Sequence, residues 1–332
     1  MTKAALQFVE RTPKAELHVH IEGTLEPDLL LLLADKNAIS LPYRTLDDVS
    51  RAYQFGDLQS FLDLYYLGAS VLVEEDDFYE LMWRYLCQCR NQGIVHAEIM
   101  FDPQTHIRRG VALETVLSGF SRAITKAQQD WQQSALLILC LLRDLPESEG
   151  LQTLHQAAPF VEQITAIGLD SAEIGNPPGK FKQAFKLATD WQLRKVAHAG
   201  EEAGPEFIKE ALVELGVERI DHGVQCTNDP ELVLSLAQAK VPLTVCPLSN
   251  VRLKVYNDLS HHPILGLLDS GVQVTVNSDD PAYFGGYLME NFNAIERALG
   301  LTEIQSRQLI SNSFTGSFLT SERKNYYLDQ LQ

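Results

Sequence analysis

No CxxC pair occurs in this 332-residue chain, and only five cysteines are present, at positions 87, 89, 140, 226 and 246. An odd count without paired spacing argues against a disulfide scaffold and predicts a reduced, cytoplasmic protein with inert thiols. Long apolar runs are missing too. The longest, residues 135–142, falls far short of the ~20 residues that a membrane span needs. The opening MTKAALQFVERTPKAE lacks the apolar core and cleavage site of a signal peptide. Positive charge is scarce: Lys and Arg total 27 against 44 Asp and Glu, a formal net charge of −17. Such a chain is repelled by nucleic-acid phosphates and by anionic lipid, so neither nucleic acid nor a membrane is expected as a partner. A small molecule in a local pocket escapes that argument. What remains, 45% hydrophobic and 21% charged residues, excludes a disordered or fibrous chain and suffices for a large core without covalent staples.

No linker, repeat or low-complexity tract divides the sequence, so a single domain over 1–332 is expected. Short β-rich apolar segments alternate with helical patterns. The candidate strands are 15–20, 94–101, 135–142, 164–169, 194–198, 218–221, 241–246 and 272–277. Several are near-continuous apolar runs, as in parallel strands buried on both faces. Helical spacing fills 148–163, 178–191, 205–215, 230–239 and 263–268, and four of these stretches open with proline, which suits a first helical turn. Eight such units predict an α/β fold, a (β/α)8 TIM barrel. A doubly wound sheet is the alternative, but its glycine-rich phosphate turn is absent: the first strand ends in HVHIEG. Residues 21–93, between the first two strands, exceed what one helix needs. This helical insertion reads equally as a lid over the catalytic face or as added core packing.

In a barrel, chemistry gathers where strands end at the C-terminal face. Here those ends carry His18 and His20, then His198 and Glu201, then Asp221 and His222, then Asp279 and Asp280. His18 and His20, two apart on a strand, face one side and together can chelate a borderline cation. A lone HxH reads as well as one packed and one exposed histidine, but His198 and Asp279 would complete an N3O set. Glu201, three residues past His198, can bend back as a general acid/base or serve as a helix-start carboxylate. Adjacent Asp279 and Asp280 repel one another without a cation, although Asp-Asp-Pro is also good turn chemistry. His222 reads as a base, as a partner of the nucleophile, or as a core histidine bonded to Asp221. Ser249 and Asn250 read as loop scaffolding. His96 and Glu98 match half of a cytidine-deaminase zinc signature whose PCxxC is missing, and so read as strand. His106, Arg108 and Arg109 read as a polar loop, His261 and His262 as a loop entering a helix, His155 as surface, and Cys87 and Cys89 as helix packing.

Taken together, HVHIEG, HAGE, DHG, CPLSN and NSDDP, in this order and spacing, resemble the adenosine deaminase family of metal-dependent aminohydrolases, over about residues 13–320. The resemblance implies a (β/α)8 barrel with one catalytic divalent metal, usually zinc, with iron or manganese as substitutes. It implies His18, His20, His198 and Asp279 as metal ligands, Glu201 as proton donor, His222 as the residue that orients or deprotonates the attacking water, and Asp280 as the carboxyl that binds the purine imidazole nitrogen. Two departures from the adenosine-specific pattern bear on the substrate. Glu22 stands where animal adenosine deaminases carry a ribose-facing Asp, although many bacterial members share Glu. DSAEIGNPP at 170–178 replaces the family's DLAGxE, which sets a bulky Glu173 where the backbone would approach the purine. With FDPQTHIRRG at 101–110, this is similar to the bacterial and fungal adenine deaminases of the family and implies conversion of adenine to hypoxanthine in purine salvage. Adenosine or an N6-substituted adenine such as a cytokinin is the alternative. The implied partner is a small-molecule purine, and a homo-oligomer is compatible. A non-catalytic purine sensor on the same barrel would have lost a ligand or the acid, yet all seven polar positions are present. A binuclear amidohydrolase would want a lysine near Ser171 or Glu173, and none is there.

Overall fold

The computed structural model describes residues 2–56 and 58–331. Eight parallel strands run in sequence order: β1 Lys14–His20, β2 Ile94–Phe101, β3 Ser134–Leu142, β4 Ala166–Asp170, β5 Arg194–Ala199, β6 Arg219–His222, β7 Leu243–Val245 and β8 Val274–Val276. Helices between them complete a (β/α)8 barrel. The closing seam between β8 and β1 is short and coincides with the functional residues. His20 N–H donates to the Asp279 carbonyl at 2.9 Å, and Asp279 N–H donates to the His18 carbonyl at 3.2 Å. Just below, Leu17 N–H bonds the Asn277 side-chain oxygen at 2.9 Å. The backbone bonds that shut the barrel therefore bring His18, His20 and Asp279 together.

Apolar packing is divided between two clusters. A large one fills the space between strands and helices. A small one, Met100, Ile138, Cys140, Ala166 and Val196, fills the lumen, with Phe318 packed against it. Arg219 stacks on the Phe318 ring at 4.7 Å and pairs with buried Glu98 at 2.5 Å. An ion pair taken fully out of water survives only with further bonds, and Glu98 also receives His96 and the Phe318 N–H. The far end of the barrel is thus plugged, while a cleft opens at the C-terminal mouth.

The structure moves some element ends. The fourth strand starts at Ala166, and the seventh and eighth span three residues each. The 148–163 stretch is a helix over Glu147–Ala157 followed by a 3-10 turn, and 178–191 begins as a 3-10 turn before its helix. Residues 205–215 loosen into a π-turn over Ala211–Leu215. The insertion after β1 comprises α2 Pro27–Lys36, α3 Leu46–Ala52, α4 Leu58–Ala69 and α5 Glu75–Asn91, following an N-terminal α1 Thr2–Arg11 that precedes the barrel. Two elements follow β2, the short α6 Pro103–Ile107 and α7 Leu113–Trp131. Apolar faces of α4 and α5 are buried through Phe61, Tyr65, Phe78 and Leu81, so these helices contribute core; α4 also reaches the mouth. Among the described residues, no helix is long and apolar enough to cross a membrane, and all five cysteines are free.

Candidate active site

Three imidazoles and one carboxylate meet at the mouth. His18 Nε2 lies 3.3 Å and His20 Nε2 3.5 Å from Asp279 Oδ1, and the Nε2 atoms of His20 and His198 are 3.3 Å apart. Donors bound at ~2.1 Å to a common ion at tetrahedral angles stand about 3.4 Å apart, close to the spacing seen. His18 Nε2 is buried and has no hydrogen-bond partner among the described residues. Each ring has an oxygen behind Nδ1, within hydrogen-bond distance for His18 and farther off for the other two. His18 Nδ1 faces Thr244 Oγ1 at 3.0 Å, itself donating to Asp221 at 2.8 Å; His198 Nδ1 faces Asp221 Oδ2 at 3.6 Å; His20 Nδ1 faces Asp170 Oδ2 at 3.5 Å. The Thr244 hydroxyl, having given its own proton to Asp221, fixes the tautomer of His18 and turns its Nε2 toward a cation. His18, His222, Cys246 and Asp279 form an overlapping set. However, burial pushes the Cys246 thiol far up and its Sγ donates to the Thr244 carbonyl, so the N3O set suits a cation better.

Around this set stand a carboxyl whose pKa is raised and a histidine whose pKa is lowered. Burial, then the charge of Asp279, holds the Glu201 carboxyl well above the usual carboxylate range. Asp280 is raised for the same two reasons. Asp279 is held well below the usual carboxylate range: burial opposes its charge, but the charge and hydrogen bond of His18 outweigh it. His222 Nε2 is 3.5 Å from Glu201 Oε2 and 3.7 Å from Asp279 Oδ2. Burial depresses its pKa to about 3 against the pull of Asp279. Its Nδ1 receives the Asn250 amide at 3.2 Å, and Asn250 Oδ1 faces His262 Nε2 at 3.2 Å. Asn250 therefore orients a site histidine, a role its motif alone did not reveal. Asp221 turns to His18 and His198 and not to His222 as a core partner.

Backbone strain marks the same places. His222 and Asp279 have φ of 60° and 65°, and Ser171 has 69°. Non-glycine residues in the left-handed region are uncommon and concentrate at functional sites. Gly23 is required by proximity: a Cβ there would fall 2.0 Å from Asp280 Oδ1.

The cleft above the donors is narrow and opens to solvent; its non-atom space, the open part included, is about 450 Å3. His20, His198, His222, Glu201, Asp102, Asp170, Asp279 and Asp280 line it, with Phe61, Leu62, Tyr65 and Tyr66 of α4 covering one side. Two sequence expectations need correction. Glu173 is not in the cleft. The turn after β4 folds its carboxylate onto four consecutive backbone N–H groups, of Gly200 at 2.6 Å, Glu201 at 3.1 Å, Glu202 at 2.9 Å and Ala203 at 2.9 Å. It fixes the loop that carries Glu201 instead of adding bulk beside a ligand. Likewise His106 sits not in a polar loop but buried in α6. It bonds Glu22 at 2.7 Å and accepts from Arg109 at 2.8 Å. Glu22 is thereby occupied and does not line the cleft.

The family model "Adenosine deaminase" matches residues 13–332. The chain belongs to the adenosine deaminase family. Relatives named adenine deaminase include one from Hahella chejuensis, 51% identical over 98% of this chain and 97% of that protein. Another, from Crocosphaera subtropica, is 53% identical over 97% of this chain and 99% of its own. The crystal structure of an adenine deaminase from Arthrobacter aurescens superimposes with a TM-score of 0.94 at 48% identity, covering 96% of this chain and 98% of that one. Membership in the family makes this chain a metal-dependent aminohydrolase.

Proposed function

We propose that this chain hydrolyses adenine to hypoxanthine and ammonia, serving purine salvage in the cytoplasm. The observation that carries this reading is the convergence of the Glu201 carboxyl, the His222 imidazole and an N3O donor set on one small cleft, in a chain about half identical to adenine deaminases along its length. His18, His20, His198 and Asp279 would hold one divalent ion. Zn2+ is our reading, with Fe2+ or Mn2+ also suited to nitrogen and oxygen donors. When bound, such an ion supplies a nucleophile at neutral pH by lowering the pKa of water.

The remaining chemistry belongs to the side chains. Protonated Glu201 gives its proton to N1 of the purine, which draws electrons from C6 and opens it to attack. Neutral His222, beside both Glu201 and Asp279, orients the attacking oxygen and accepts its proton. Protonated Asp280 donates to the imidazole nitrogen N7, fixing the face presented to attack. The C6–N bond then breaks as the amino group takes a proton and leaves as ammonia, and the ring is left as the 6-oxopurine. Ammonia release from adenine, adenosine and N6-isopentenyladenine, compared as kcat/KM, tests the assignment. Adenine should lead; a preference for adenosine would overturn it.

A further inference from the structure

The cleft holds a carboxyl that this chemistry does not use. Asp102 follows β2 and is only 3% exposed. The Tyr65 hydroxyl donates to its Oδ2 at 2.9 Å, and its backbone N–H is tied to Glu22 at 3.2 Å. Its Oδ1 is buried without a hydrogen-bond partner among the described residues, and the side chain lines the cleft. A buried polar atom left unpaired costs free energy that a ligand donor can offset.

We propose that Asp102 Oδ1 accepts the N9–H of a free purine base, making the pocket selective for the base over N9-substituted purines. This rests on the orientation in the preceding section, with N1 at Glu201 and N7 at Asp280. Around the perimeter of a purine the nitrogens run N7, N9, N3, N1. Around the barrel mouth, from Asp280 after β8, the strands run β1, β2, β3, β4 and then β5 with Glu201. The two cycles match in one sense. N7 at β8 and N1 at β5 put N9 on the arc of Asp102 and leave N3 toward Ser171, which lines the cleft after β4. A nucleoside has no hydrogen at N9 and brings a sugar to that point, where Tyr65 and Asp102 leave the acceptor unmet.

His20, Asp102 and Asp170 also lie close enough to hold a cation. That use would need Nδ1 of His20 while its Nε2 serves the first ion, so one imidazole would have to bridge two cations, whereas a neutral ring offers one lone pair.

The test uses metal-loaded enzyme and the variants Asp102→Asn and Asp102→Ser. Asn keeps an acceptor for Tyr65 but turns its amide donors toward N9. Turnover of adenine and 9-methyladenine is measured, together with calorimetric Kd for hypoxanthine and 9-methylhypoxanthine and the metal content. The preference for the N9–H partner in each pair should fall by about 3- to 10-fold, the size of a single buried hydrogen bond, with metal content unchanged. Ratios within twofold of wild type in both folded variants would overturn the proposal, as would a metal content near two per chain that drops to one on substitution. If adenine were not turned over at all, the substrate assignment would fail by itself. The Kd ratio would still support the Asp102 contact by collapsing in the variants, or refute it by holding.

Discussion

Glu173→Gln isolates the hold that one carboxylate has on the loop bearing Glu201. In the native protein Oε1 takes the Gly200 N–H and Oε2 takes those of Glu201, Glu202 and Ala203. A glutamine carbonyl can keep the three bonds of Oε2, but its amide N–H2 then confronts the Gly200 N–H. One orphaned buried donor costs roughly 1–3 kcal/mol, and three bonds each weaken by about 1 kcal/mol when the acceptor loses its charge. Allowing for non-additivity, the expected destabilisation is about 3–5 kcal/mol, read as a Tm drop of about 4–7 °C in a chain of 332 residues. Function should suffer separately. A loop shift of about 1 Å at Glu201 lowers kcat by about 10²-fold. Loss of the Glu173 charge, one of those that raise Glu201, also moves its pKa down, so the alkaline limb of the rate profile shifts to lower pH. Thermal unfolding and pH-dependent ammonia release from adenine measure both effects. A variant with wild-type Tm and kcat would refute the idea that this carboxylate sets the loop.

Four further expectations are independent of it. Glu201→Gln should keep metal and purine while kcat falls by about 10²–10⁴, the usual size of a general acid/base contribution; retained activity removes it from the chemistry. Asp279→Ala should lower metal occupancy by elemental analysis, and full occupancy would show the donor set is wrongly assigned. Gly23→Ala forces Asp280 aside, since the new Cβ falls 2.0 Å from its Oδ1; KM for adenine should rise, and an unchanged KM would separate Asp280 from substrate binding. At the barrel floor the Glu98 carboxyl is held down to about 2 from its ordinary 4.5: burial would raise it, but Arg219 and His96 prevail. The unfolded chain binds a proton there first, so this stabilisation is present above about pH 4.5 and disappears as pH falls through about 2. Acid unfolding of Glu98→Gln should be flatter over that window, and an identical pH slope would contradict the assignment.

Much of the fold was legible because parallel strands buried on both faces must be apolar almost throughout, and polar residues stop those runs at the mouth. The same contrast exposed His18, His20, His198, Glu201, His222, Asp279 and Asp280, which the structure gathers within one cleft. Less visible were residues whose role depends on where a turn sends them. Glu173 looked like bulk for the pocket until the left-handed Ser171 and the turn after it carried the carboxylate onto the loop after β5. His106 looked like loop because its buried partner Glu22 lies 84 positions away in sequence. Nothing in the sequence marked the reach of the Tyr65 hydroxyl to Asp102, 37 positions away. α1 and α7 were not singled out, nor were the three helices after residue 287. They cover the barrel and carry no polar cluster to mark them.

Anomalous diffraction at the zinc edge, from crystals of zinc-loaded protein, bears most directly on the centre of the account. A single peak bonded at ~2.0–2.2 Å to the Nε2 atoms of His18, His20 and His198 and to a carboxylate oxygen of Asp279 is the result predicted. A peak seated instead on Asp102 and Asp170, or an empty N3O set in crystals that still deaminate adenine at full rate, would contradict it.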